Sequence, residues 1–319
     1  MKKIEIKYEK PINKKIEIIK KYLNKTTTEK PKKKINKREK SSKSLKSNKS
    51  KSLKLKDNKS QEIIENKKSL SLEYRKTKFE EDYKLILEMR KKKTAPVDTL
   101  GSSNCIKKDK KIDFKTYKFQ NLVSLMLSSQ TKDNITYLTT QKLIEYGLTI
   151  ENMIKIPIEK LTEIIYKVGF HNNKSKTIKK LSEVLREKYN DNPPENFKEI
   201  LNLPGIGRKM GLLYMKECLN KIEGIAVDTH IHKIANRLGW VNNTKNPEKT
   251  EFELEKIVEK KYWNDINLIL VGFGQEICKS FHPLCDKKCL LKNNCPYYLN
   301  NISCDKGKKR KNLMKRKSE

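Results

Sequence analysis

Apolar residues along this chain recur at helical rather than alternating spacing. Between residues 115 and 128, Phe119, Leu122, Val123, Met126 and Leu127 fall at i, i+3, i+4, i+7 and i+8, the stripe that an amphipathic helix turns toward a core. Upstream, Leu85, Ile86 and Met89 share a face before Lys91–Lys93 and the Ala95-Pro96 break. Asp133 is a good N-cap for a second helix, which ends before Gly147. Two more helices are predicted over 158–166 and 176–189, with Gly169 between them and a break at Pro193-Pro194. Period-two alternation is absent and the glycines punctuate helices, so the pattern predicts an all-α fold.

The pattern fails at both ends, and there charge takes over. Residues 1–76 are a low-complexity stretch of Lys, Ser and Asn, sharpest at Lys30–Lys40. Residues 1–60 hold 23 Lys or Arg against 6 Asp or Glu, about half of the net charge of +35. Eight more basic residues follow Cys304, including the run Lys308–Lys311. Such blocks bury little surface, which predicts a disordered arm over 1–76 and a basic tail over 301–319. Lysine runs neutralise phosphates and displace counterions, so nucleic acid is the expected partner; drift toward Lys and Asn would give the same bias without a role. No stretch approaches the ~18 apolar residues of a membrane span, and the N-terminus lacks the apolar run of a secretory leader. An intracellular protein is expected, most simply nuclear and monomeric, with its seven Cys as ligands or buried thiols.

Candidate chemistry begins in ENFKEILNLPGIGRKMGLLYMKECL, residues 195–219. It reads as helix, tight turn, helix, with the hairpin over 196–220. Gly205 and Gly207 permit positive φ and close backbone approach, and their N–H groups form a nest suited to a phosphate oxygen. This is the mark of a helix-hairpin-helix clamp on the DNA backbone, although an ordinary corner between helices would look similar. Lys209 stands in the first turn of the second helix, beside Arg208. A lysine is a nucleophile only when neutral. The helix N-terminus and a neighbouring cation both disfavour its ammonium. Asp228 follows 19 residues later in GIAVDTHIHKIANRLGW. Capping a helix would explain it alone; as a carboxylate it would also steady positive charge on a sugar losing its base. His230 and His232 suit structural or phosphate contacts.

Near the C-terminus, Cys278, Cys285, Cys289 and Cys295 form C-x6-C-x3-C-x5-C. Four Cys so close together in an intracellular chain indicate a metal centre, and spacing alone does not separate zinc from an iron–sulfur cluster. Cys105, Cys218 and Cys304 have no partners at ligand spacing.

Taken together, LVSLMLSSQTKD, VGFHNNKSK, LPGIGRKMG, GIAVDTHIHKIANRLGW and LILVGFG, with APVDTLG upstream, resemble endonuclease III, its eukaryotic branch most of all, over roughly residues 80–300. The resemblance implies a six-helix barrel over 119–222 carrying the hairpin, and a second helical domain from 77–118 and 223–300 bearing the cysteines. It implies Lys209 as nucleophile and Asp228 as its carboxylate partner. Gln130 would fill the gap left in the base stack, Phe170 would act as an apolar wedge, and Gly205, Gly207, Arg208 and His230 would join them at the DNA. It further implies a [4Fe–4S] cluster on the four cysteines, where the family pattern is C-x6-C-x2-C-x5-C. The extra residue here requires the chain to bulge over Asp286–Lys288. The expected activity is removal of oxidised pyrimidines from duplex DNA through a Schiff base, then strand cleavage 3′ to the abasic site. Eukaryotic relatives also suggest a mitochondrion or another DNA-containing organelle. The sister adenine–mismatch glycosylases lack a lysine at this position. A non-catalytic clamp with a structural metal needs no Lys209–Asp228 pair.

Overall fold

The computed structural model of the chain describes residues 72–106 and 112–301, and among these all regular structure is helical. The basic clusters at Lys30–Lys40 and Lys308–Lys311, with most of the arm and tail, lie outside the described residues. The helix α1 (72–89) already covers 72–76, within the segment read as arm. Leu72 packs on the core there, and Arg75 pairs with Glu253. Its inner face is Phe79, Tyr83 and Ile86, whereas Leu85 is exposed, because a 3.6-residue period carries 79 to 83 and 86 and leaves 85 outside.

Two hydrophobic clusters organise the described residues. The first is enclosed by α4 (Phe114–Ser128), α5 (Asp133–Tyr146), α6 (Ile150–Lys155), α7 (Ile158–Ile164), α8 (His171–Tyr189), α9 (Phe197–Leu201) and α10 (Arg208–Leu219). Asp113 caps α4 by accepting the Thr116 N–H at 2.9 Å. From Lys118 to Leu127 the helix is buried on every side, the condition of a central core helix. Among its polar members, Gln120 donates to the Leu148 carbonyl and Lys118 to the Pro193 carbonyl and Glu195, while Gln120 Oε1 and Ser124 Oγ are buried without a partner. Lys132, not Asp133, is the N-cap of α5, and Asp133 lies in its first turn, where an acid complements the helix dipole. Gly147 ends α5 at φ 100°.

The second cluster draws on α1, α11 (Thr229–Leu238), α12 (Pro247–Ile257) and α13 (Ile266–Glu276). Trp240 is fully buried edge-on to Phe79, and its indole N–H donates to Asp82 at 2.9 Å. Two short helices, α2 (Pro96–Leu100) and α3 (Ser102–Cys105), pack on α5, and α2 also packs on α13. The first described helices after α1 therefore lie between the two clusters: Val97 of α2 packs on the second, and both helices also touch α5. The fully buried Arg90 is bonded to both Asp98 oxygens at 2.6 Å and also to Glu276, fixing the APVDTLG segment to α13. Among the described residues no helix is long and apolar enough to cross a membrane.

Candidate active site

The turn between α9 and α10 is keyed into the barrel at Gly205. Its φ is 76°, and a Cβ there would lie 2.4 Å from Thr177 Cγ2 and 3.2 Å from Met126 Cε. Gly207 differs: φ is −91° and a Cβ would meet nothing within 4 Å. Positive φ is thus needed at Gly205 alone, and Gly207 leaves open space at the start of α10. Gly205→Ala is expected to cost about 3 kcal/mol, from left-handed strain and overpacking together, and to lower Tm by on the order of 10 °C. Thermal unfolding checks this; a Tm within about a degree of wild type would mean that the turn is not seated as described.

Lys209 projects from the first turn of α10, and its Nζ stands 3.6 Å from Asp228 Oδ2. The two carboxylate oxygens of Asp228 have different tasks. Oδ1 accepts the Ile231 N–H at 2.9 Å and caps α11, while Oδ2 faces the amine. Capping and charge placement therefore coexist in one side chain. Lys209 is rooted in a helix of the first cluster, and Asp228 begins the helix whose Ile231, Ile234 and Leu238 enter the second. Lys209 keeps 39% of its side chain exposed against 13% for Asp228, so the amine is reachable while the carboxylate is shielded.

Arg208 takes a different course from the one its position suggested. Its Nε lies 2.8 and 2.9 Å from the two Glu251 oxygens, its guanidinium sits over the Phe197 ring, and the Glu251 bond holds its proton more firmly than usual. A charge neutralised in this way contributes little to its neighbour. Glu251 is buried, which pushes its carboxyl up while Arg208 pulls it down. Its Oε1 would lie 3.2 Å from a Cβ at Gly224, and the Glu255 oxygen that receives the Ile225 N–H at 3.2 Å would lie 2.7 Å from the same Cβ. Arg208 thereby ties the hairpin to the strand-like approach to Asp228. Nothing in the sequence signalled Glu251, 43 residues away.

Other predicted residues fall around this pair. His230 is half-buried against Gly274, where a Cβ would come 2.8 Å from its Nδ1. His232 bonds Thr250 through Nδ1 at 2.7 Å, and burial lowers its pKa. Gln130 and Phe170 are both exposed, Phe170 at 61%, and both adopt left-handed φ, 51° and 59°. Glu217, two turns along α10 from Lys209, was not anticipated. One of its oxygens is buried without a partner, and burial pushes its carboxyl up to about 7 against the pull of Lys216 and Lys209.

The four clustered cysteines are not joined as disulfides. No bulge accommodates the extra residue. Residues Cys285–Lys288 form a single helical turn, α14, with Lys288 N–H on the Leu284 carbonyl at 3.0 Å. Cys285 and Cys289 are then i and i+4, which a helix presents on one side, as it does i and i+3. Arg237 holds the loop, donating to the carbonyls of Cys278, Lys279 and Ser280 at 3.2, 2.8 and 3.0 Å and to Cys278 Sγ at 3.5 Å. Burial raises all four thiols, Cys289 to about 12, and Cys278, Cys285 and Cys289 feel the charge of other members of the set. Among the described residues no three His, Cys, Asp or Glu converge on a point that would hold one metal ion.

Residues 123–260, which contain the hairpin and both members of the amine–carboxylate pair, match the family model described as HhH-GPD superfamily base excision DNA repair protein. That is the class defined by this fold. Endonuclease III-like protein 1 of Mus musculus is 46% identical over 209 residues, 65% of this chain and 69% of the relative. The endonuclease III homolog of Encephalitozoon cuniculi is 43% identical, over 67% of this chain and 92% of its own. A solved endonuclease III, trapped as a covalent intermediate with DNA, superposes with a TM-score of 0.61 at 26% identity, covering 71% of this chain and 98% of that one. The chain belongs to the endonuclease III family.

Proposed function

We propose that the chain is a bifunctional DNA N-glycosylase and abasic-site lyase that removes oxidised pyrimidines from duplex DNA. The observation that carries this reading is the 3.6 Å approach of Lys209 Nζ to Asp228 Oδ2 at the mouth of the hairpin. The open turn at Gly207 and the N–H groups starting α10 would receive a phosphate, and the damaged nucleotide would be turned out of the stack. The Lys209 amine, its proton lost, attacks C1′ as the glycosidic bond to the base breaks. Asp228 Oδ2 steadies the positive charge that develops on the sugar, where a preplaced carboxylate acts most strongly. The base leaves with the glycosidic electron pair and takes up a proton from water. O4′ then takes the proton released by Nζ as the ring opens to a Schiff base between Nζ and C1′. Loss of a C2′ proton to water expels the 3′ phosphate with the C3′–O electron pair.

Support comes from the solved relative, which was captured as a covalent intermediate with DNA. A clamp without chemistry needs the hairpin but has no use for a shielded carboxylate facing an accessible amine. Borohydride trapping on a duplex containing thymine glycol tests the reading. The expected result is a protein–DNA adduct of one-to-one stoichiometry; its absence, with binding retained, would leave the clamp alone. The basic stretches at 30–40 and 308–311 suit a nuclear location.

We also propose that Cys278, Cys285, Cys289 and Cys295 hold a [4Fe–4S] cluster. Cys278, Cys285 and Cys289 each have a thiol raised by other members of the set, a grouping that serves either zinc or a cluster, and the resemblance to endonuclease III is what favours the cluster. Such a cluster takes one thiolate per iron and would staple the loop to α13 and to α15 (296–301). Anaerobically purified protein is expected to be brown, with visible absorption and bound iron, and to lose both in Cys285→Ser. A colourless preparation carrying zinc and no iron sinks this assignment.

A further inference from the structure

Lys174 on α8 is buried, yet its three ammonium N–H groups find no carboxylate. They point at three acceptors in one adjoining turn: the Leu127 carbonyl at 2.9 Å, the Ser129 carbonyl at 2.5 Å and the Thr131 hydroxyl at 3.4 Å. The two carbonyls belong to the C-terminal end of α4, where helical oxygens lack internal partners and a cation is favoured. The Thr131 hydroxyl, in turn, accepts the Gly169 N–H at 3.2 Å. Gly169 touches the same turn, since a Cβ there would lie 2.4 Å from the Gln130 carbonyl oxygen. The turn carrying Gln130 and the turn carrying Phe170 are thus joined twice, once through backbone contact and once through Lys174 and Thr131. Both exposed side chains stand on left-handed backbone, a conformation that non-glycine residues keep only where their surroundings over-determine it.

Resting on the reading of Gln130 and Phe170 as side chains that enter the base stack, we propose that Lys174 is a positioning residue that latches their two turns into one rigid wedge. Burial brings its pKa down to about 8, and no charged side chain contributes to that shift. A cation kept in such a place, with no anion to stabilise it, is expensive to bury. An apolar residue there would leave the Leu127 and Ser129 carbonyls unbound and free the turn to move. Neither Lys174 nor Thr131 is exposed enough to be a principal DNA contact, so the latch acts through Gln130 and Phe170.

The experiment uses the full chain and a duplex with a tetrahydrofuran abasic analogue opposite 2-aminopurine, whose fluorescence rises when it is unstacked. Gln130→Ala and Phe170→Ala test the wedge itself. Lys174→Met and Thr131→Val test the latch. All four are expected to cut the fluorescence rise at saturation by about fivefold or more, because small misplacements of a positioned group have large effects. Affinity of the latch variants for undamaged duplex should stay within about twofold of wild type, since phosphate contacts set it. If the alanine variants lose the rise while both latch variants keep it, the latch is wrong and the wedge stands. A rise that survives in the alanine variants overturns the wedge and the latch with it. Should Lys174→Met fail to fold, Thr131→Val decides by the same measure.

Discussion

Lys209→Gln is expected to abolish borohydride trapping and to reduce both base release and strand cleavage by on the order of 10³-fold or more, as loss of a covalent nucleophile does. Glutamine keeps the length and polarity of the side chain but has no basic nitrogen. Lys209 is partly exposed and bonded to nothing but Asp228 in the described structure, so the fold should not notice the change. Affinity for a duplex bearing a non-cleavable abasic analogue should also survive, because the hairpin N–H groups and the open turn at Gly207 are untouched. The contrast between intact binding and lost chemistry is the diagnostic result. If Lys209→Gln still forms an adduct on thymine glycol duplex, another amine is the nucleophile and the assignment fails.

The second large effect separates the two tasks of Asp228. Asparagine is as good an N-cap as aspartate, so Asp228→Asn can keep the bond to the Ile231 N–H while removing the charge that faces Lys209. Its Tm should match wild type, and its single-turnover rate of base release should fall roughly 10²–10³-fold. Asp228→Ala removes both functions and should lose about 1 kcal/mol of stability in addition. Equal rates for Asp228→Asn and wild type would show that the carboxylate is only a cap. A low Tm for Asp228→Asn would show instead that the cap depends on the charge.

How much of this was legible in the sequence follows from where each determinant lies. The central helix α4 was readable because its apolar stripe is local. The six-residue helix α6 was missed because so short a segment carries too few turns for a periodic signal. Helix α8 begins at His171, not at 176, because it opens on a left-handed Phe170 with no capping side chain, which gives no start signal to read. At the site, the Lys209–Asp228 pairing was anticipated from motif positions, and the structure brings the two together. The pairing of Arg208 was not legible because Glu251, its partner on α12, is distant in sequence. Lys174 stood in plain view within VGFHNNKSK, but a buried lysine and a solvated one are the same letter. Only tertiary packing distinguishes them.

The single helical turn at Cys285–Lys288 has a consequence for how such chains diverge. A helix returns to the same side after either three or four residues, so the spacing of two side chains placed on one turn is degenerate. One inserted residue there leaves both thiols looking the same way. The same insertion in 279–284, where the chain is not helical, would lengthen the reach between Cys278 and Cys285 by about 3.3 Å with no rotation to absorb it. An extra residue is therefore absorbed by rotation in the first interval and must be absorbed by a bulge of the loop in the second. A motif with a fixed count of residues between Cys285 and Cys289 would pass over chains whose thiols face as these do.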